Sequence, residues 1–279
     1  MKLYLSVIRR WGVLALFLLS LGCSRSAEQP RSLRLATTTS TQDSGLLDLL
    51  VPMFEKQIGI KVKVIAVGSG QALELGRRGD ADVLLTHSPD AEKAFVLEGH
   101  GEERRLVMHN DFVLVGPETD PAGIKGKTAI VDAFRQISDS HSPFVSRGDE
   151  SGTHMKERKL WKAVQIDPAG EWYVQAGTGM AEVLRIADEK KAYTLADRGT
   201  YLAQRDRLSL AVIAEGDTLL KNPYSVIVIS SEKHPQVEHA AARQFAEFIL
   251  SPDVQRTIGE FGVKQFGQAL FFPDAGQSR

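Results

Sequence analysis

The chain has 279 residues, with 34 Lys and Arg against 35 Asp and Glu and a formal net charge of −1. That balance offers no global basic field for nucleic acid or a membrane surface, so any anion the protein takes must be held by local donors. A single cysteine, Cys23, rules out an intramolecular disulfide, and the sequence shows neither an internal repeat nor a low-complexity segment.

Lys2, Arg9 and Arg10 precede the apolar run Trp11 to Leu21, which ends in Gly22-Cys23. This is the n-region and h-region of a secretory signal, shorter than the about 20 apolar residues a spanning helix needs. The expectation is a signal peptide over 1–22 and a polar tether over 23–32. A lone Cys after Gly at this point resembles a bacterial lipoprotein processing site, although Ser20 and Leu21 depart from the usual Leu followed by a small residue. Lipidation of Cys23 and plain cleavage into the periplasm both stay open.

Leu33 and Leu35 then begin a β-like segment. It runs through the hydroxyl tract Thr37-Thr38-Thr39-Ser40-Thr41 into a helix marked by Leu46, Leu47, Leu50, Met53 and Phe54 at helical spacing. A strand that enters a helix this way leaves the first N–H groups free, and those donors together with the macrodipole attract anions. One N-cap needs one hydroxyl, and here there are five. Lys61 to Val67 is a β-branched strand ending in Gly68-Ser69-Gly70 before a helix, Gln71 to Arg77. Val83 to Thr86 is a short buried strand after the turn Gly79-Asp80, Asp90 to Leu97 a helix, and Asp111 to Val115 a strand closing at Gly116-Pro117. Strand, turn and helix in alternation imply parallel pairing with crossovers, with ligands beyond the carboxyl ends of the strands. The turns at Thr37–Ser40 and Gly68–Gly70 both lie at that edge.

Pro143 to Ser146 reads as a strand, followed by Arg147-Gly148-Asp149-Glu150-Ser151-Gly152-Thr153-His154 and a helix from Met155 to Trp161. Arg147 has the fork to bind a tetrahedral oxyanion. Ser151, Thr153 and the N–H groups of Gly152 and Thr153 would make a second anion-binding helix start. The competing reading pairs Arg147 with Asp149 or Glu150 beside an ordinary cap. A further glycine turn, Gly177-Thr178-Gly179, precedes the helix Ala181 to Ala187. Strands around Leu208 to Ile213 and Ser225 to Ile229 follow, and Val237 to Ile249 and Pro252 to Phe261 read as packing elements.

Taken in order, Ala36-Thr37-Thr38-Thr39-Ser40, Asp43-Ser44-Gly45-Leu46, Val67-Gly68-Ser69-Gly70, Gly79-Asp80-Ala81-Asp82 and Arg147 to His154 resemble the tungstate-binding proteins of ABC importers. The resemblance covers essentially everything after the signal. It implies an α/β, type II periplasmic binding fold: two lobes joined by two crossing strands, near Asp111–Val115 and Tyr224–Ile229, with the ligand in the cleft. Lobe one would comprise 33–116 and 222–279, and lobe two 117–221. Thr38, Thr39, Ser40 and Ser69 would approach the anion from lobe one, and Arg147, Ser151, Gly152 and Thr153 from lobe two. Thr37 and Thr178 are weaker candidates, because the strand direction can turn their side chains away. The resemblance implies an extracytoplasmic location, an ABC permease with its cytoplasmic ATPase as partner, tungstate or molybdate as ligand, and no cofactor.

Other tetrahedral oxyanions (molybdate, sulfate or phosphate) are the alternative ligands. Ser151, His154 and Asp149 are the residue types of a hydrolytic triad, but their close spacing opposes triad geometry and no Gly-x-Ser-x-Gly elbow is present. His87, His109 and His154 are scattered without a paired-His helix motif, which favours surface or capping roles over a metal site. A sensor that uses the same cleft without transport stays open. No segment suggests an oligomer, so a monomer is expected.

Overall fold

Leu33, Leu35 and Ala36 are fully buried in the first strand, β1 (Ser32–Thr38), of the computed structural model, which describes residues 32–127, 129–149 and 151–276. The signal peptide and Cys23 lie outside those residues. β1 runs further than the leucine pattern suggests, so Thr37 and Thr38 are strand residues and only Thr39–Asp43 is helical (α1). Gly45, at φ +79°, turns the chain from α1 into α2 (Leu46–Ile58), a conformation that suits glycine. The hydroxyl tract therefore leads into a separate five-residue helix before the leucine-rich one.

β2 (Lys61–Val67), α3 (Ser69–Arg78), β3 (Val83–Thr86) and α4 (Pro89–Leu97) follow close to their predicted places. β1 lies between β2 and β3 and is parallel to both, with Thr38 opposite Val67 and Thr37 opposite Leu85. Their carboxyl ends share one edge. Asp82, buried before β3, accepts from the Arg34 main chain at 2.7 Å, from its guanidinium and from the Glu238 N–H at 3.1 Å. The Gly79–Asp82 motif thus anchors β1 and a later helix to the turn.

β4 (Gly101–Pro117) is much longer than the predicted Asp111–Val115, because Glu102, Glu103, Arg104 and Arg105 disguise its first half as a polar segment. Next come α5 (Ile130–Asp139), β5 (Phe144–Ser146), α6 (Gly152–Ala163), β6 (Tyr173–Gln175), α7 (Met180–Lys190), β7 (Thr194–Asp197), α8 (Arg198–Gln204) and β8 (Leu210–Ala214). The chain closes with β9 (Lys221–Ile229), α9 (His239–Leu250), α10 (Pro252–Glu260), α11 (Val263–Phe266) and β10 (Phe272–Pro273).

The sheet is mixed. Its main path is β10-β4-β9-β3-β1-β2, and β9 is antiparallel to both β3 and β4. β4 changes partners along its length: Gly101–Asp111 pairs with β9, whereas Phe112–Pro117 pairs with β7 and β8. Parallel pairing holds for β1 with its neighbours and for the separate pair β5–β6. Aromatic edges fill the cores: Phe54 meets Phe245 at 5.2 Å, and Trp161 meets Phe134 at 4.5 Å and Phe144 at 5.3 Å.

Candidate functional site

Thr38 ends β1 and caps α1. Its Oγ1 accepts from the Thr41 N–H at 3.3 Å and lies 2.6 Å from Thr41 Oγ1 and 3.2 Å from Ser40 Oγ. Thr39 and Ser40 are exposed at the edge of the sheet, while Thr41 is buried. Thr37 donates its hydroxyl to the Leu85 carbonyl at 2.8 Å and so joins β1 to β3. With only five residues, α1 has too few aligned peptides for a strong macrodipole, so this corner offers hydroxyls and local N–H groups rather than a helix field. Ser69, half-buried, opens the ten-residue α3 at the same edge, with the Gly68 N–H held by Gln71 at 3.4 Å.

The second loop leaves β5 at Ser146. Arg147 Nε donates to Asp149 Oδ2 at 2.8 Å, as the competing reading had it, and the Ser151 N–H donates to Asp149 Oδ1 at 3.1 Å. Burial pushes the Asp149 carboxyl up, but Ser151 and the Arg147 charge outweigh it and hold the group below the usual carboxylate range. Ser151 caps α6 by accepting from the His154 N–H. Ser151 and Asp149 are thus committed to loop and cap, an arrangement unlike a triad. Gly152 and Thr153 are the first two residues of the twelve-residue α6, and first-turn N–H groups have no acceptor within a helix. Gly148 adopts φ +63°, and a Cβ there would lie 2.9 Å from Gln175 Cβ, so only glycine fits. Thr178 is half-buried in the neighbouring loop, whose Gly177 N–H donates to the Arg147 carbonyl at 2.9 Å.

His87 joins the two loops. Its Nε2 lies 3.4 Å from Ser40 Oγ, its Nδ1 3.1 Å from Asn222 Oδ1, and its ring centroid 4.8 Å from that of Tyr224. A Cβ added to Gly152 would stand 3.5 Å from His87 Cε1. Asn222 donates in turn to Asn110 Oδ1 at 2.8 Å, and those two residues are opposite each other where β4 meets β9. Contacts therefore link Thr38, Ser40, His87 and Gly152. Ser69 shares their edge of the sheet, and Thr178 lies beside the Arg147 loop. The sequence reading took His87 for a surface or capping residue, whereas it joins the two loops, and Asn110 and Asn222 escaped that reading as site residues. The available signal was position, since His87 directly follows a strand that ends at the same edge as the hydroxyl and glycine turns.

Each loop rests on a buried carboxylate. Glu92 accepts from the Thr86 hydroxyl at 2.8 Å, the Ser88 N–H at 2.7 Å and Arg104 Nε at 2.8 Å. Glu157 accepts from Ser146 Oγ at 2.8 Å, Trp161 Nε1 at 3.1 Å and the Tyr173 hydroxyl at 2.8 Å, and burial pushes its carboxyl up despite these bonds. Lys156, further along α6, donates to the Leu219 and Lys221 carbonyls at 3.0 and 2.8 Å, and burial brings its ammonium down to about 8. Among the described residues no three His, Cys, Asp or Glu side chains are grouped to hold a metal ion. What the arrangement supplies is hydrogen-bond donors, neutral for the most part, with positive charge from Arg147 and Lys156.

Comparison with known proteins agrees with this chemistry. The family described as PBP superfamily domain matches residues 25–253. The chain is 49% identical to the tungstate-binding protein TupA of Peptoclostridium acidaminophilum, over 99% of this chain and 100% of that one. The solved structure of the tungstate-binding protein TupA from Desulfovibrio alaskensis G20 is 45% identical, with a TM-score of 0.82, covering 88% of this chain and 99% of that chain. A structure described as the tungstate ABC transporter from Geobacter sulfurreducens is also 45% identical, with a TM-score of 0.71 and coverage of 82% and 98%.

Proposed function

The chain belongs to the PBP superfamily and, within it, to the family of tungstate-binding proteins, and on that premise we propose that it captures tungstate outside the cytoplasm and delivers it to an ABC permease with its cytoplasmic ATPase. The observation that carries this reading is the convergence of the hydroxyl loop and the α6 start on His87. The ligand-binding residues in this reading are Thr38, Thr39, Ser40 and Ser69 from lobe one, and Arg147, Ser151, Gly152 and Thr153 from lobe two. The lobes divide as 33–116 with 222–279, and 117–221; the change of partners along β4 supports a crossing near Asp111.

Tungstate is a dianion that accepts hydrogen bonds without needing a proton. Burying it costs several kcal/mol unless each oxygen finds donors. Donors contributed from both lobes bind better in the closed arrangement, so the ligand shifts the population toward closure, and the closed shape is what the permease reads. Selectivity against sulfate and phosphate rests on cavity size, tungstate being the larger ion; molybdate, of nearly the same size, is the close competitor. The relatives are solute-binding transport proteins, and this chain acts as a carrier rather than an enzyme, as a monomer. Among the described residues no helix is long and apolar enough to cross a membrane. Attachment is through a lipid on Cys23.

Thermal melting of the mature protein with tungstate, molybdate, sulfate and phosphate at matched concentration tests the reading. A ligand at about 1,000 times its dissociation constant adds about 4 kcal/mol to stability. The expected result is a large rise of the midpoint with tungstate and little with sulfate or phosphate, while the rank of molybdate sets the selectivity. No shift with any of the four would overturn the oxyanion reading.

A further inference from the structure

The atoms around His87 fix more than its position. Glu92 binds both neighbours of this residue, the Thr86 hydroxyl and the Ser88 N–H, so the ring is held from its own loop. Asn222 uses its Nδ2 to donate to Asn110 Oδ1 at 2.8 Å and to the Tyr224 hydroxyl at 3.3 Å, which leaves its Oδ1 facing the ring. That oxygen can only accept, so the imidazole carries hydrogen on Nδ1. Nε2 of the neutral ring is then a lone pair that can accept the Ser40 hydroxyl proton across 3.4 Å, in competition with Thr38 Oγ1 at 3.2 Å. In that state Ser40 presents oxygen lone pairs to an incoming anion.

A proton on Nε2 reverses the bond. The ring donates to Ser40, the Ser40 hydroxyl hydrogen turns outward, and a positive charge appears beside Gly152, where no side chain intervenes. We infer that His87 is a positioning residue of the anion site whose protonation sets the direction of the Ser40 hydroxyl, so that capture of the oxyanion takes up a proton from solvent. This inference rests on the oxyanion reading above.

Several groups face the ring. Glu92 of α4 favours the charged form, and the Asn222 bond from β9 does the same. Tyr224, also of β9, stays a neutral phenol because burial pushes it up. Lys156 of α6 disfavours the charged ring. Burial, the largest effect, holds the free ring below the usual imidazole range and therefore neutral at pH 7. A bound dianion stabilises the charged ring and raises that value. Affinity accordingly grows as pH falls from the liganded ring's pKa toward the free ring's, and is flat outside that window. Lys156 is brought down to about 8, above the pH range of the test below.

The test is calorimetric titration of tungstate into the full mature protein between about pH 5.5 and 7, in paired buffers of different ionisation enthalpy. The expected result is a binding heat that depends on the buffer, corresponding to uptake of up to one proton, with affinity rising by up to about tenfold per pH unit. His87→Gln places a fixed amide near the Nε2 position and cannot titrate in this range; the binding that remains, weaker or not, should show neither effect. It retains His154 and Lys156, so uptake persisting in this variant would overturn the inference. Wild-type binding without proton uptake would overturn it alone, whereas no binding heat at any pH would overturn the oxyanion reading with it. A measurement independent of the variant is the NMR titration of the wild-type His87 ring, which should move to higher pH with tungstate; an unmoved titration would refute the role.

Discussion

Arg147 makes the ion pair of the competing reading, and its proposed anion contact is open to a direct test. Its Nε edge is held by Asp149, and that carboxylate is fixed in turn by Ser151 at the α6 cap, so the ion pair orients the guanidinium within the loop. Lys would retain the charge and lose the planar fork. Arg147→Lys should therefore weaken tungstate binding by about 10- to 100-fold, the equivalent of a charge-assisted hydrogen bond of roughly 1.5–3 kcal/mol. The melting point of the free protein should barely change, since the side chain is partly exposed; unchanged affinity by calorimetry would remove Arg147 from the site. The types of donor were legible in the sequence, because runs of Thr and Ser before helices are local patterns. Which hydroxyl is available was not. Thr37 gives its proton to Leu85, and that depends on the register of β1 against β3. The place of His87 between the loops, as opposed to the surface or capping role expected of it, stayed hidden because its partners Ser40 and Asn222 are 47 and 135 residues away.

At the scale of elements, strands and helices with plain apolar periodicity were readable: β2 and β3 match their predicted bounds, and α4 begins one residue before its predicted start. β4 was only half visible, since its first part is an unbroken charged run, in which Arg104 pairs with Glu92 of α4 and Glu102 with His239 and Arg243 of α9 while the backbone pairs with β9. Loop shape follows from a backbone demand. Gly148 combines a left-handed φ with close approach to Gln175, so Gly148→Ala must both strain the backbone and push the β6 side away. The strain alone costs roughly 1–2 kcal/mol. Urea unfolding should show a lower midpoint with an unchanged slope, and tungstate affinity should fall because Arg147 and Ser151 flank the distorted residue. A variant as stable and as tight as wild type would show that the loop tolerates another shape.

On the scale of the whole molecule, the α/β class and the repeated strand–turn–helix order were legible, whereas the mixed sheet was not. β9 returns to the first sheet from a distant part of the chain, and its antiparallel pairing with β3 leaves no local mark in the sequence. The described site lies wholly between Thr38 and Asn222, so the means of attachment should be separable from the means of capture. Cys23→Ser is expected to abolish incorporation of labelled fatty acid, and the same mature protein should bind tungstate with unchanged affinity. Wild-type protein that incorporates no fatty acid would eliminate the lipid anchor and leave cleavage into the periplasm.

Glu92 and Glu157 have a consequence for how such a chain can diversify. Glu92 joins the end of β3 and the residue that follows His87 to Arg104 of β4, Glu157 joins the end of β5 to Tyr173 of β6 and to Trp161 of its own helix, and both are buried. Framework and cargo preference are thereby written in different residues. If the proposed ligand contacts hold, exchanges at Ser40, Ser69 or Thr153 should alter what is carried while the two carboxylate braces stay intact, so that new selectivities can arise from this scaffold by small steps.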